Sequence, residues 1–160
     1  MKLHIVAVGH RMPAWVQAGF EDYARRMPRE MPLLLKEVRP EPRGTGALSA
    51  ARIERILKTE SERLQGAVPH GCLLVALDER GQALTTGCLA QRLGEWLQQG
   101  RDVCFAIGGA DGLDADLKGS AHLMLSVSAM TLPHQLVRVI LAEQLYRAAS
   151  LLQHHPYHRG

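Results

Sequence analysis

Two turns in the last third of the chain combine glycine and hydroxyl residues in the way a small-molecule site requires. IGGADG (residues 107–112) and SVSAMTLPH (residues 126–134) each follow a short apolar run. Glycine lets backbone approach a ligand closely, and the N–H and C=O groups freed at a turn can then contact it. The chain closes on a polar tail, HHPYHR (residues 154–159), whose imidazole, phenol and guanidinium groups can donate hydrogen bonds or move a proton. The tail histidines His154, His155 and His158 invite a metal reading, but Pro156 breaks any helix that would align them and no Cys or acidic residue adjoins them. No metal is expected. Other chemistries lack their signatures: there is no G-x-x-x-x-G-K-S/T phosphate loop, no G-x-S-x-G nucleophile elbow, and IGGADG lacks the G-x-G-x-x-G spacing of a dinucleotide site.

Holding these turns in place takes a scaffold. Apolar runs near residues 3–8, 33–38, 72–77, 103–107 and 123–127 predict strands, and helical periodicity predicts helices near 13–27, 49–65, 85–99, 114–120 and 134–152. This alternation predicts an α/β fold, a single domain over residues 1–160 with a parallel-rich sheet flanked by helices. Both turns then lie beyond the carboxyl ends of strands, where open α/β sheets bind ligands. Pro13 suits a first helical turn, with Val16, Phe20, Tyr23 and Met27 as that helix's buried stripe. The last helix is apolar around more of its circumference than one core stripe needs, through Leu136, Val137, Val139, Ile140, Leu141, Leu145, Tyr146, Leu151 and Leu152. A homodimer interface is the preferred outlet for that surplus, and a position between other helices of the monomer is the alternative. Residues 39–48, with two Pro and two Gly, read as the most flexible segment.

Composition bounds the rest. A chain of 160 residues with 46% apolar content can bury a full core without disulfides. No apolar run is long enough to cross a bilayer and the start, MKLHIVAVGHR, lacks a signal-peptide cleavage pattern, so a soluble cytoplasmic protein without a membrane partner is expected. Cys72, Cys88 and Cys104 are far apart among apolar neighbours and read as buried reduced thiols. The basic excess is N-terminal: residues 1–63 hold 12 Lys/Arg against 8 Asp/Glu, the remainder 7 against 8. Arg25, Arg26, Arg29, Lys36, Arg39, Arg43, Arg52, Arg55, Lys58 and Arg63 could form a phosphate-facing surface, although charge alone favours an ordinary solvated face.

The motifs also carry a family resemblance. LDERG (77–81), IGGADG, SAMTLPH (128–134), LVRVILAEQLYRA (136–148) and HPYHR (155–159) occur in the order and at the gaps of the RlmH family, ribosomal large subunit pseudouridine methyltransferases of the SPOUT class. The chain resembles that family end to end, including Val8-Gly9, Trp15, Gly19 and the Tyr23–Arg26 stretch. The resemblance implies a SPOUT-type fold with a C-terminal trefoil knot, an exception to unknotted topology. It implies a homodimer, S-adenosyl-L-methionine as methyl donor, and transfer to N3 of a pseudouridine in 23S rRNA of the assembled ribosome. By matching position, the donor pocket would comprise Leu77, Gly108, Val127, Ser128, Ala129, Met130, Thr131 and Leu132, with Gly109 and Gly112 shaping the loop. Asp111 is assigned no essential charge role.

Methyl transfer of this kind is an in-line displacement on carbon, so the tasks are alignment and removal of the N3 proton. A cation near the base carbonyls would stabilise the attacking anion. The candidates are Arg159 on a carbonyl or phosphate, His158 on the base or relaying its proton, and Tyr157 stacked against it, with His134, Arg138 and His155 as supporting substrate contacts. The general base is left unassigned. Two readings compete: a non-catalytic ribosome-binding factor with a vestigial pocket, and a flavodoxin-like enzyme whose GG turn holds a phosphate.

Overall fold

The computed structural model describes residues 1–159; Gly160 and the side chains of His158 and Arg159 lie outside the described residues. Strands β1 (Leu3–Val8), β2 (Leu33–Val38), β3 (Leu73–Ala83), β4 (Val103–Ile107) and β5 (Leu123–Ser126) alternate with helices α1 (Ala14–Arg26), α2 (Ala50–Ala67), α3 (Thr86–Gln99), α4 (Ala115–Ser120) and α5 (His134–Leu152), and a 3-10 turn, Pro156–Arg159, follows. All strand pairs are parallel, in the order β2-β1-β4-β3-β5. The expected α/β sheet is therefore present, wholly parallel.

Side chains that alternate along each strand go to opposite faces, and the core divides accordingly. Leu3, Ile5, Val75, Val103 and Phe105 meet α1, α3 and α5 through Phe20, Leu93 and Leu141. Val6, Leu74, Cys104 and Ala106 face α2 and α4 through Leu64 and Leu117. Local chemistry sets the helix starts: Ser49, Thr85 and Asp114 accept the N–H of Arg52, Cys88 and Leu117 as N-caps, each worth ~1 kcal/mol. Gly100, at φ +67°, ends α3 in the left-handed conformation that suits glycine.

Four expectations need revision. The third strand does not stop at Leu77. The polar stretch DERG bows out of the ladder and the chain returns, so that Leu77 and Gln82 both pair with Leu125. A turn-rich tetrapeptide hid this return. The segment 39–48 is tied down from α2, where Arg63 donates to the Arg39 carbonyl (2.9 Å) and to Glu41 (2.6 Å), and Glu60 accepts the Glu41 N–H (3.0 Å). Cys72 and Cys104 are buried but Cys88 is exposed, because it falls on the outer face of α3. Helix α5 packs against both α1 and α3, burying Leu141, Ala142, Leu145, Ala148 and Ala149, so neighbours in the monomer take much of its apolar surface. Leu136, Val139 and Ile140 stay half-buried.

Candidate active site

The C-terminal ends of β3, β4 and β5 open into a cavity of about 730 Å³, within the ~300–1,000 Å³ of small-molecule sites. Its lining includes Leu77, Gly108, Gly109, Gly112, Val127, Ser128, Met130, Thr131 and Leu132, together with Ile107, Leu125 and Val137. Ala129 is exposed and does not line it. The turn after β4 closes on itself: the Gly112 N–H donates to the Gly109 carbonyl at 3.1 Å, and Gly112 sits at φ +83°. Gly108 is held still more tightly, since a Cβ there would stand 2.2 Å from the Gly112 carbonyl oxygen. Only glycine fits, and backbone forms that wall of the cavity.

The turn is seated from below by α2. Ser61 Oγ accepts the Asp114 N–H at 3.2 Å, and a Cβ on Gly109 would lie 3.0 Å from Glu60 Oε2. Glu60 is 3% exposed, and burial pushes its carboxyl above the usual carboxylate range despite the Glu41 N–H and Arg43. From the side, Arg43 pairs with Asp111. Asp111, assigned no essential charge role, thus fastens the turn to the 39–48 segment.

The opposite wall comes from the β5–α5 loop. Ser128 Oγ accepts the Met130 N–H (2.9 Å), the Ser126 hydroxyl donates to the Ser128 carbonyl (2.8 Å), and the Thr131 hydroxyl donates to Glu79 Oε2 (2.9 Å). Sequence reasoning missed the polar rim Asp78, Glu79, Arg80 and Lys118, although the bowed DERG of LDERG was the available signal. Burial pushes the Asp78 carboxyl up, but the Arg80 N–H and the Lys118 ammonium 3.2 Å away outweigh it and hold it below its usual range.

The remaining candidates separate. His134 lines the cavity at the start of α5, and burial, reinforced by Arg138, lowers its pKa and favours the neutral ring. Arg138, expected at the substrate, is instead a buried strut, 1% exposed, whose two terminal nitrogens are engaged within the protein. It donates to Glu37 Oε2 (2.7 Å) and to the carbonyls of Val8 (3.1 Å) and Gly9 (2.8 Å), tying α5 to the ends of β1 and β2. Of the described tail side chains, neither His155 nor Tyr157 lines the cavity of its own chain. Tyr157 packs on Tyr146 with centroids 4.6 Å apart, between the guanidinium groups of Arg26 (4.8 Å) and Arg147 (4.9 Å). Its hydroxyl donates to Glu143 Oε1 at 3.3 Å, and burial with the neighbouring Tyr23 and Glu143 pushes its pKa up to about 12. Glu143 lies nine residues along α5 from His134, so about 13 Å of helix at 1.5 Å per residue separates this aromatic box from the cavity rim. His155 is exposed beside the box, its Nδ1 accepting the Tyr157 N–H at 3.3 Å. The roles expected of the His158 and Arg159 side chains lie outside the described residues. Arg26 and Arg147 were missed as tail-holding residues, although Tyr23/Arg26 at i, i+3 and Glu143/Arg147 at i, i+4 share helix faces.

A family model described as "Predicted SPOUT methyltransferase" matches residues 1–158. The chain belongs to the SPOUT methyltransferase family. Among SPOUT proteins it is similar, at 57% identity with both chains covered in full, to a Ribosomal RNA large subunit methyltransferase H of Burkholderia thailandensis. A protein of the same name from Paraburkholderia phymatum is 54% identical over 99% of each chain. A solved structure, a probable methylase family protein from Haemophilus influenzae, shares the fold at 15% identity and a TM-score of 0.53, covering 98% of this chain and 69% of that one. The strand-end cavity is thus the candidate active site of a SPOUT methyltransferase.

Proposed function

We propose that this protein methylates N3 of a pseudouridine in 23S rRNA, using S-adenosylmethionine and acting in the cytoplasm as a homodimer on the assembled ribosome. The observation that carries this reading is the cavity walled by glycine backbone and apolar strand ends in a chain whose full-length relatives bear the name of a ribosomal RNA large subunit methyltransferase. The residues fit the donor. Ile107, Leu125, Val127 and Val137 offer an apolar slot for adenine, and backbone of 108–112 and 127–132 offers hydrogen bonds at its edge. When bound, the donor supplies an electrophilic methyl on a sulfonium. His134, neutral at the rim, presents a hydrogen-bonding group to the incoming base. In this reading Tyr157, packed between Arg26 and Arg147, positions the tail beside the base, His158 handles its N3 proton and Arg159 steadies a carbonyl or phosphate.

The position of Tyr157 supports the homodimer in this reading. Tyr157 bonds to Glu143, some 13 Å along α5 from the cavity rim, and in the proposed dimer one chain's tail serves the partner's pocket, across an interface that includes the half-buried stripe of Leu136, Val139 and Ile140. The trefoil knot belongs to the same proposal. At Gly81 the bowed chain lies so close to β5 that a Cβ would stand 2.7 Å from the backbone of Met124 and Leu125, a packing compatible with a knotted chain. Exposed Arg52, Arg55 and Lys58 on α2 then face RNA phosphate.

Incubation with methyl-labelled S-adenosylmethionine tests this on two substrates, intact ribosomes and protein-free rRNA. Label in the large-subunit RNA of intact ribosomes, with little in the free RNA, is the expected result. Binding to ribosomes without transfer would make the chain a ribosome-binding factor instead.

A further inference from the structure

The opposite end of the sheet carries a second cluster of chemistry-bearing side chains. His4 on β1, Cys72 just before β3 and Asp102 just before β4 have even numbers on strands whose even residues share the α2/α4 face. Strands β1, β4 and β3 are neighbours and all start at this edge, so the parallel register brings the three residues together. Their ligand atoms, an imidazole nitrogen, the Cys72 sulfur and a carboxylate oxygen, all lie within 4.8 Å of one another. The cluster faces away from the candidate active site, which opens where these strands end.

One atom in it lacks a partner. His4 Nε2 is shielded from solvent and makes no hydrogen bond, and the nearest Asp102 oxygen is 3.8 Å away, too far to accept one. The other Asp102 oxygen is already fixed, accepting the Lys2 N–H at 2.7 Å, which leaves Oδ2 aimed toward the imidazole. A buried polar nitrogen facing a thiol and a carboxylate is unusual unless something joins them.

We propose that His4, Cys72 and Asp102 bind a zinc ion that staples the amino-terminal ends of β1, β3 and β4. Nitrogen, thiolate sulfur and carboxylate oxygen form a donor set that zinc accepts, and the mixed set disfavours magnesium and calcium, which take oxygen. Tetrahedral zinc ligands lie ~3.5 Å apart given bond lengths near 2.0–2.3 Å, so the cluster closes by about an ångström on loading, within reach of a change in the Cys72 or Asp102 rotamer. Water completes the fourth position, and the thiol proton is released to solvent as the metal binds. The absence of metal expected from the tail histidines does not extend to this edge, because residues 4, 72 and 102 are too far apart in sequence to show a motif.

Metal-free full-length protein titrated with zinc against a chromogenic chelator is expected to hold one equivalent per chain, with a raised melting temperature. Cobalt in place of zinc is expected to give a thiolate-to-metal charge-transfer band in the near ultraviolet, which histidine-only binding at the tail cannot produce. Cys72→Ala should remove that band and weaken zinc binding at least tenfold, its metal-free melting curve confirming that it folds. Should Cys72→Ala fail to fold, Cys72→Ser, which keeps the size of the side chain, takes its place and should likewise lose the band. The proposal is overturned by a wild-type protein without the cobalt band, or by a band that survives Cys72→Ala or Cys72→Ser.

Discussion

Gly108 is the residue on which the donor pocket depends most. Its missing Cβ leaves room for the Gly112 carbonyl, which a side chain would strike at 2.2 Å, so a larger residue must unfold the turn that walls the cavity. Gly108→Val is expected to abolish S-adenosylmethionine binding in calorimetry while the far-ultraviolet spectrum stays α/β; wild-type affinity in this variant would remove the turn from the site. Glu60 supports the same turn at a cost. A carboxyl whose pKa is raised by folding stabilises the protein only while protonated, so the penalty grows as pH rises through and above the ordinary carboxylate range near 4.3. Glu60→Gln keeps an acceptor for the Glu41 N–H without the charge. It should melt above wild type at pH 8 and level with it at pH 4, and a variant less stable at pH 8 would mean that the charge is needed by Arg43 and Arg63.

At the scale of elements, the parallel alternation was plain in the sequence because each apolar run and helical stripe is long and separated by capping or turn residues such as Ser49, Thr85, Asp114 and Gly100. The two strand-end turns were legible for the same reason, and they meet in one cavity. Long-range pairing was hidden. Nothing near Arg43 announces Asp111, 68 residues away, and nothing near Arg138 announces the Val8 and Gly9 carbonyls, 130 and 129 residues away. Arg138 illustrates the limit: an arginine beside a site motif suggests substrate, yet its fork is consumed by Glu37 and two strand-end carbonyls inside the protein. The return of β3 after DERG was equally invisible, because turn residues in a bowed strand and in a true turn look alike.

The whole molecule sets the pocket and Tyr157 at separate stations along α5, and the proposed dimer is what would join pocket and tail. A chain with Gly108→Val keeps its tail, and a chain lacking residues 157–160 keeps its pocket; each alone should be inactive on ribosomes, the truncated one still binding donor. Mixed, unfolded together and refolded so that the chains exchange, they are expected to recover transfer, since one site of the mixed dimer has both parts intact. No recovery in a mixture shown to contain mixed dimers would place pocket and tail in the same chain. The most direct test of the central claim uses labelled S-adenosylmethionine and two ribosome preparations that differ only in having pseudouridine or uridine at the target. Label confined to the pseudouridine ribosomes, recovered as an N3-methylated base, is the predicted result. Equal labelling of both, or of neither, would contradict it.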